Sequence, residues 1–216
     1  MPKESLVKLL SECGGAYPRF LQKAIENTKS QRWGTGVGAP WSLEPYRMEV
    51  LGIKPGRMLK GESKPGPRRY RYSYDNEGRV IHVVKYGKLI GPAENRDWMR
   101  SDEFYDYSDG VATRYVYDNT LRENPDSEVT RIVRLSAIND GFNGAFQIEG
   151  DDLEYTETIY SRTTSGVINR ITVQWPDGPF PDRVLEVIGE GDGVTIFEIR
   201  ERGKIRVYPE TRLCEK

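Results

Sequence analysis

The only histidine of this chain, His82, limits the covalent chemistry that the protein can perform. A nucleophilic triad would have to combine His82 with Cys13 or with a serine that is distant in sequence. His82 lies in an alternating segment, Arg79 to Tyr86, that predicts a β-strand, and strand packing explains it without catalysis. One histidine excludes a histidine-rich metal site, and Cys13 and Cys214 lie too far apart in sequence to indicate a zinc site. We therefore predict a protein that is not an enzyme and has no catalytic residues, metal or cofactor.

Carboxylates and glycines could support other chemistries. Glu149-Gly150-Asp151-Asp152 could offer oxygen ligands to a hard cation, although the spacing of a calcium loop is absent. Gly34-Thr35-Gly36-Val37-Gly38 has the glycines of a phosphate cradle, but it lacks the Lys-Ser/Thr ending and is interpreted as a loop. Asp and Glu are abundant, so a carboxylate pair for glycoside hydrolysis stays open, with no pair singled out.

The charges are balanced overall but unevenly distributed along the chain. The net charge of −1 predicts no general attraction to nucleic acid or to an anionic membrane. Residues 102–126 hold seven acids against two bases, and residues 149–157 hold five acids and no base. Such blocks form solvated faces or, as we hypothesise, an acidic docking surface for a basic partner. The candidate partner-binding residues are Asp102, Glu103, Asp106, Asp109, Glu149, Asp151, Asp152 and Glu154.

A basic and aromatic segment provides an alternative binding face. It consists of Arg68, Arg69, Tyr70, Arg71 and Tyr72, and a sheet surface of this composition can stack nucleic-acid bases. The same residue types dominate the hot spots of protein-binding surfaces. Ordinary cross-strand packing of tyrosine and arginine is the third interpretation. All three stay open at this point.

Residues 1–46 are predicted to form a short N-terminal helical segment and a loop. An apolar stripe from Leu6 to Cys13 indicates a first helix, and a second helix is predicted to continue to about Trp33. Residues 34–46 are rich in glycine and proline, which predicts a loop. Trp41 and Tyr46 are expected to anchor that loop on a sheet.

From Arg47 onward, alternation and regularly spaced turns predict β-structure. Met48 and Val50 suggest a first strand, and Asp75-Asn76-Glu77-Gly78 is the turn of a clear hairpin. Further hairpins give roughly ten to twelve strands, and since no helix intervenes, parallel crossovers are excluded. A mean hydropathy of −0.67 suits a broad sheet with a wet face. We predict a mainly β fold: a large antiparallel meander sheet over residues 47–216, curved or open-barrel-like, with the short N-terminal helical segment over residues 1–46.

One hairpin resembles a known family of repeats. Tyr72-Ser73-Tyr74-Asp75-Asn76-Glu77-Gly78-Arg79-Val80 is similar to the core of the YD repeats of Rhs-type toxin shells, whose pattern is Tyr-x-Tyr-Asp-x-x-Gly-Arg-Leu. Weaker echoes, Tyr105 to Gly110 and Tyr115 to Asp118, lack the Gly-Arg step. The spacing is irregular, and a chain of 216 residues is too short to enclose a toxin. The resemblance is therefore to a local hairpin and not to a repeat array.

Small standalone β proteins with such hairpins resemble the immunity proteins that accompany polymorphic toxins. This resemblance implies a binding protein that neutralises a cognate bacterial toxin by occluding its active site, with a toxin domain such as a basic nuclease as its partner. Three other hypotheses stay open: a nucleic-acid-binding sheet, a small-molecule carrier or enzyme with a site in the curved sheet, and an adaptor domain of a secretion apparatus. Leu6 to Leu10 is too short and too charged for a secretory segment, so we expect a cytoplasmic protein with no membrane partner.

Overall fold

A computed structural model describes residues 2–108, 110–120, 127–137, 142–150 and 152–209. Within these residues the protein is mainly β, and the predicted fold class is confirmed. Thirteen strands form an antiparallel meander sheet that does not close on itself. Two helices precede the first strand, and a third, short helix follows it.

The helices and strands of the described residues have the following bounds. The helices are α1 (Pro2–Glu12), α2 (Tyr17–Asn27) and α3 (Arg47–Val50), with short 3₁₀ turns at Ala93–Asn95 and Gly191–Gly193. The strands are β1 (Ser30–Thr35), β2 (Arg57–Met58), β3 (Arg69–Tyr74), β4 (Val80–Ile90), β5 (Asp97–Ser108), β6 (Val111–Thr120), β7 (Arg131–Ala137), β8 (Phe142–Glu149), β9 (Glu154–Arg162), β10 (Ile168–Gln174), β11 (Arg183–Ile188), β12 (Thr195–Arg200) and β13 (Gly203–Tyr208). Across the sheet, β3 to β13 follow in chain order, and β1 and then β2 lie beyond β3.

The sheet bends until its two edge strands come close together. Thirteen strands at a spacing of about 4.8 Å would put the edges of a flat sheet about 58 Å apart. Gly52 instead packs against β13 so closely that an added Cβ would lie 3.2 Å from the carbonyl oxygen of Val207. Arg57, in β2 at the opposite edge, follows Gly52 by five residues, which span at most about 18 Å. Residues 36–56, called here the central segment, therefore lie between the two edges.

The helices α1 and α2 cover one face of the sheet, called here the helix face. Leu6 and Tyr17 are fully buried there, in a cluster with Phe104, Tyr117 and Ile132. Tyr17 packs edge-to-face with Phe104 and Tyr117, at centroid distances of 5.7 and 5.2 Å. Burying a leucine side chain such as that of Leu6 contributes about 1.5–3 kcal/mol to the free energy of unfolding. The apolar stripe of the first helix therefore docks it on the sheet.

The central segment covers the opposite face, called here the inner face. Trp41 packs edge-to-face with Tyr72 and Tyr105, at centroid distances of 6.2 and 5.8 Å. Tyr46 packs on the cluster of the later strands, and Leu43 contacts that cluster as well as the one around Tyr72. The predicted anchoring by Trp41 and Tyr46 is confirmed.

Two predicted boundaries in the first 50 residues are wrong. The second helix ends at Asn27, and β1 follows it because pairing with β3 and stacking of Trp33 on Tyr86 override the helical pattern. Met48 and Val50 lie in α3 and not in a first strand. The sheet therefore takes one strand from the segment that the sequence predicts to be only helix and loop.

The YD-like hairpin forms where the sequence predicts it, and Asp75 holds its turn. Oδ1 of Asp75 accepts hydrogen bonds from the backbone N–H groups of Glu77 and Arg79, each at 2.9 Å. Oδ2 accepts a hydrogen bond from Nε of Arg79, also at 2.9 Å. Gly78 has a φ of 75°, a left-handed conformation that favours glycine. The Asp, Gly and Arg of the pattern each have a local structural role.

Replacing Asp75 by alanine is expected to lower the free energy of unfolding by about 1–3 kcal/mol, because three donors lose a buried acceptor. Burial raises the pKa of Asp75, but hydrogen bonds from Arg79 and Glu77 outweigh it and bring the pKa below its ordinary value of 3.8. The contribution of the Asp75 carboxylate to stability is therefore complete above pH 3.8. It is lost as the pH falls through the lowered pKa of the folded state. Urea denaturation of the variant at neutral pH measures it.

The matched control is Asn76→Ala, in the same turn but exposed. We expect a change within about 0.5 kcal/mol for this control. Equal losses in the two variants would show that the Asp75 carboxylate does not hold the turn.

Candidate functional site

The structure does not bring together those acidic candidates that it describes. Two of the eight candidates, Asp109 and Asp151, lie outside the described residues. The other six divide among the helix face (Asp102), the inner face (Glu103), one end of the strands (Asp106) and the opposite end of the strands (Glu149, Asp152 and Glu154). These six residues therefore do not form one continuous surface.

Asp102 is a buried structural carboxylate. It is 0% exposed, its Oδ1 lies 2.8 Å from Nε2 of His82, and its Oδ2 accepts a hydrogen bond from Nε of Arg100 at 3.0 Å. The hydroxyl of Tyr17 in α2 donates to Oδ2 at 3.4 Å and accepts from Arg100 at 3.1 Å. A partner cannot reach this carboxylate, so the prediction that Asp102 contacts a partner is wrong.

His82 and Cys13 are enclosed by the same helix face. His82 is 4% exposed and stacks on Phe104, with 4.6 Å between ring centroids. Cys13 is buried and free, and burial raises the pKa of its thiol. Cys214 lies outside the described residues. Both side chains are therefore packed core residues.

Glu103 belongs to a group of four charged side chains on the inner face, called here the charged quartet: Glu44, Arg47, Glu103 and Arg114. Arg114 is 1% exposed, and the other three side chains are 12–19% exposed. Nη2 of Arg114 lies 2.7 Å from Oε2 of Glu44, and its Nη1 lies 3.7 Å from Oε2 of Glu103. Arg47 pairs with both carboxylates, at 3.5 Å to Glu44 and 3.6 Å to Glu103. The charges of the two carboxylates and the two guanidinium groups cancel. Their ion pairs connect the central segment to β5 and β6. Glu103, whose side chain is 19% exposed, is therefore already held by two arginines inside the protein, and its contact with a partner stays a prediction.

Stability is expected to depend on the protonation of Glu103 at low pH. Burial raises the pKa of Glu103, but Arg114 and Arg47 outweigh burial and bring the pKa down to about 2. A carboxyl whose pKa is depressed from 4.5 contributes stability above pH 4.5, and this contribution is lost as the pH falls towards 2. The free energy of unfolding of Glu103→Gln should therefore lie well below that of the wild type at about pH 6 and closer to it at about pH 3.

The control for this comparison is the exposed Glu201→Gln, which should follow the wild type at both pH values. Urea denaturation at the two pH values measures the difference. A Glu103→Gln deficit of the same size at both would contradict the ion pairing.

Asp106 is exposed at the end of β5 that adjoins the YD-like turn. Its side chain is 43% exposed and lies 3.0 Å from Nζ of Lys23 in α2. Together with Asp75, Arg79 and Phe20, these two residues line a cleft of about 170 Å³ between α2 and the hairpin. The cation already bound to Asp106 neutralises it, so this end offers no unpaired carboxylate on β5.

Glu149 and Glu154 face each other across β8 and β9, at the opposite end of the strands. Glu149 is paired with Arg131, 2.5 Å away, and accepts a hydrogen bond from Gln147. Glu154 is exposed, as is Asp152 in the preceding turn, and within the described residues neither has an ion pair. Two of the predicted partner-binding residues thus remain available.

The neighbouring turn, between β10 and β11, adds aromatic rings to the same end. Glu154, Trp175, Phe180 and Asp182 line one cavity of about 390 Å³. Phe180 is 59% exposed and packs edge-to-face with Trp175, 5.8 Å between centroids. Asp182 accepts a hydrogen bond from the amide of Gln174 at 2.6 Å. We call Asp152, Glu154, Trp175, Phe180 and Asp182 the acidic end.

Cations near the acidic end are mostly bound to other carboxylates. Lys3 pairs with Asp177, Arg131 with Glu149, and Arg183 and Arg200 with Glu198. Burial raises the pKa of Glu198, but these two arginines outweigh burial and lower it. Arg202 is a further, exposed cation in the next turn. The carboxylates of Asp152, Glu154 and Asp182 are left without an ion pair in the described part of the chain.

The alternative basic and aromatic face does not exist as a single surface. Tyr70 and Tyr72 are 3% and 0% exposed on the inner face, where their hydroxyl groups donate to the carbonyls of Val37 and Trp41. Arg69 and Arg71 pair with Tyr86 and Val84 on the other face of β3. Arg68 precedes the strand and is exposed. Because the rings are buried, they cannot stack nucleic-acid bases, and cross-strand packing is the correct interpretation of the tyrosines.

The glycine-rich loop and the acidic turn do not show ligand sites. An added Cβ on Gly36 would lie 2.5 Å from the Cα of Gly56, and one on Gly38 would lie 2.6 Å from the carbonyl oxygen of Lys54. These glycines therefore allow two stretches of backbone to approach closely, as a loop interpretation requires. Across the described ranges, no three His, Cys, Asp or Glu side chains are grouped to hold a metal ion.

Comparisons with known proteins add little to this geometry. No protein-family model and no curated protein matches the chain. Among solved structures, the chain is similar to a porin-like protein from Bacteroides uniformis, with 10% sequence identity and a TM-score of 0.45. The similarity covers 64% of this chain and 51% of that protein, so the chain spans about half of its length. In the part of the chain that the structure describes, no helix is long and apolar enough to cross a membrane.

Proposed function

We propose that the protein binds a basic bacterial toxin domain and neutralises it by occluding its active site. The observation that carries this proposal is the acidic end, where Asp152, Glu154 and Asp182 have no ion pair with any residue that the structure describes and Phe180 is exposed beside them. Aromatic side chains and desolvated charge pairs dominate the energetics of protein interfaces. The likeness of the YD-like hairpin to Rhs-type toxin shells supports a toxin system as the setting.

Charge complementarity supports a basic active site as the target. An enzyme that cleaves nucleic acid has cationic residues where the phosphates bind. Unpaired carboxylates attract such a surface, speed association and suppress wrong partners. The acidic end lies at the turns between strands, where side chains reach furthest from the sheet and can enter a concave site.

The other binding hypotheses have weaker support. A nucleic-acid-binding sheet would need the rings of Tyr70 and Tyr72, which are buried. A carrier site within the curved sheet would compete with the central segment, whose Trp41, Leu43 and Tyr46 already pack on the inner face. A protein-binding role fits the exposed acidic end without rearrangement.

Co-expression with the product of the adjacent upstream gene tests the proposal. We expect that product to stop growth when it is expressed alone, and growth to be restored when this protein is expressed with it. The two purified proteins should form a one-to-one complex that inhibits the activity of the toxin in vitro. Salt should weaken the complex, because charge steering is screened by ions.

An upstream product that is not toxic, or one that is toxic but neither bound nor inhibited by this protein, would overturn the proposed function. A basic protein without toxicity, such as a cytosolic nucleic-acid-binding protein of similar charge, is the control for nonspecific attraction. Equal binding of that control would show that only net charge is recognised.

A further inference from the structure

The cavity at the acidic end has the composition of a receptor for an organic cation. Its apolar wall contains Trp175, Phe180 and Ile199. Its polar wall contains the carboxylates of Glu154 and Asp182, together with Glu198 and the Arg183 guanidinium group that is paired with it. A cation placed between them gains from the aromatic rings and from charge-assisted hydrogen bonds at the same time. An opening of about 390 Å³ accommodates one long side chain.

Among the described residues, neither Glu154 nor Asp182 has an ion-pair partner. Glu198, which also lines the cavity, is only 17% exposed and is bound by Nε of Arg183 at 3.0 Å and Nε of Arg200 at 3.1 Å. Asp182 is hydrogen-bonded to the neutral amide of Gln174, and Glu154 lies opposite Glu149 across the strand pair. An incoming cation therefore does not have to displace a resident one from Glu154 or Asp182.

We propose that this cavity binds the side chain of an arginine that a protein partner presents. A planar guanidinium group stacks on aromatic rings and donates to two carboxylates in a fixed geometry, whereas an ammonium group is a compact and strongly hydrated charge. The methylene groups of arginine would contact the apolar wall of Phe180 and Ile199. This inference rests on the proposed function for the identity of the partner, but the cavity can be tested without a toxin.

The probe is N-acetyl-arginine methylamide, titrated into the full-length protein and followed by the indole N–H resonance of Trp175. The resonance is assigned by its absence in Trp175→Phe, since Trp33, Trp41 and Trp98 also contribute. We expect saturable binding of the arginine probe and about tenfold weaker binding of the lysine analogue. The uncharged citrulline analogue has nearly the same shape and should not shift the resonance.

Variants identify the groups responsible. Glu154→Gln with Asp182→Asn should weaken the arginine probe at least about tenfold, and Phe180→Ala should weaken it by a similar factor. Asp152→Asn removes a neighbouring negative charge that does not line the cavity and should change binding by less than about twofold. Circular dichroism checks that each exposed-site variant is folded.

The outcomes separate the cavity from the proposed function. Binding of the probe with the expected variant effects supports the arginine site whether or not a toxin is found. No shift of Trp175, or equal shifts from the arginine and citrulline probes, would overturn the site even if the toxin complex forms. A toxin complex that persists unchanged in Glu154→Gln/Asp182→Asn and in Phe180→Ala would equally contradict it.

Discussion

Replacing Arg114 by methionine is expected to lower the free energy of unfolding by about 3–5 kcal/mol, the cost of leaving two largely enclosed carboxylates without their buried counter-charge. Arg114 is 1% exposed, and its guanidinium group lies between Glu44 and Glu103. Methionine is similar in length and flexible, so it keeps most of the packing. The loss therefore measures charge pairing, and urea denaturation at neutral pH determines it.

Two further variants identify the origin of this loss. Arg170→Met removes an exposed arginine from β10 and should change the free energy of unfolding by no more than about 0.5 kcal/mol. Adding Glu44→Gln and Glu103→Gln to Arg114→Met removes the stranded charges and should recover part of the loss. If Arg114→Met is no more destabilising than Arg170→Met, the charged quartet does not stabilise the fold.

The charged quartet also gives Arg114→Met a local consequence. Glu44 and Arg47 belong to the central segment, and their only described ion-pair partners outside it are Glu103 and Arg114. The variant should therefore raise hydrogen exchange in residues 36–56 more than in the strands. Uniform exchange over the whole chain would indicate global destabilisation instead.

Replacing Asp102 by alanine is expected to have an effect of similar size, about 3–5 kcal/mol. The substitution removes the acceptor of Arg100 and the carboxylate beside His82, both beneath the N-terminal helices. It also removes a hydrogen bond from Tyr17, which holds the start of α2. Thermal and urea denaturation should both show the loss, and α2 should exchange its amide hydrogens faster.

The control for Asp102 lies four residues away on the same face of β5. Asp106→Ala removes a 43%-exposed carboxylate from a surface pair with Lys23, a contact that contributes about 0–1 kcal/mol. Both substitutions replace an aspartate of β5 by alanine, so the difference between their losses of stability measures the effect of burial. Comparable losses in Asp102→Ala and Asp106→Ala would contradict the structural role assigned to Asp102.

The meander could be predicted from the sequence because its signals are local. The Asp75-to-Gly78 turn and the alternation of the later strands each specify a hairpin, and short connections leave antiparallel neighbours as the solution. β1 and α3 could not be predicted in this way. β1 is a strand because β3 pairs with it, and α3 packs against β13, so both depend on contacts that are distant in sequence.

The candidate site was harder to predict because charge does not reveal burial. Asp102 and Glu103 are adjacent acids in an acidic block, yet strand alternation sends them to opposite faces, where Tyr17 and Arg114 bind them. The same alternation in β3 could have separated the tyrosines from the arginines. Trp175 and Phe180 flank a Pro-Asp-Gly-Pro turn. Two aromatic residues on either side of a turn are the feature of the sequence that could have predicted this exposed aromatic pair.

The affinity of two charge-reversed variants for the purified toxin domain, measured by calorimetry, tests the proposed binding surface most directly. One variant carries Asp152→Lys, Glu154→Lys and Asp182→Lys at the acidic end. The other carries Glu26→Lys, Glu77→Lys and Asp106→Lys at the opposite end, so both have the same net charge. We expect the first to bind at least about a hundredfold more weakly than the wild type and the second to lose less than about threefold. Equal losses, or no loss in the first variant, would contradict binding through the acidic end.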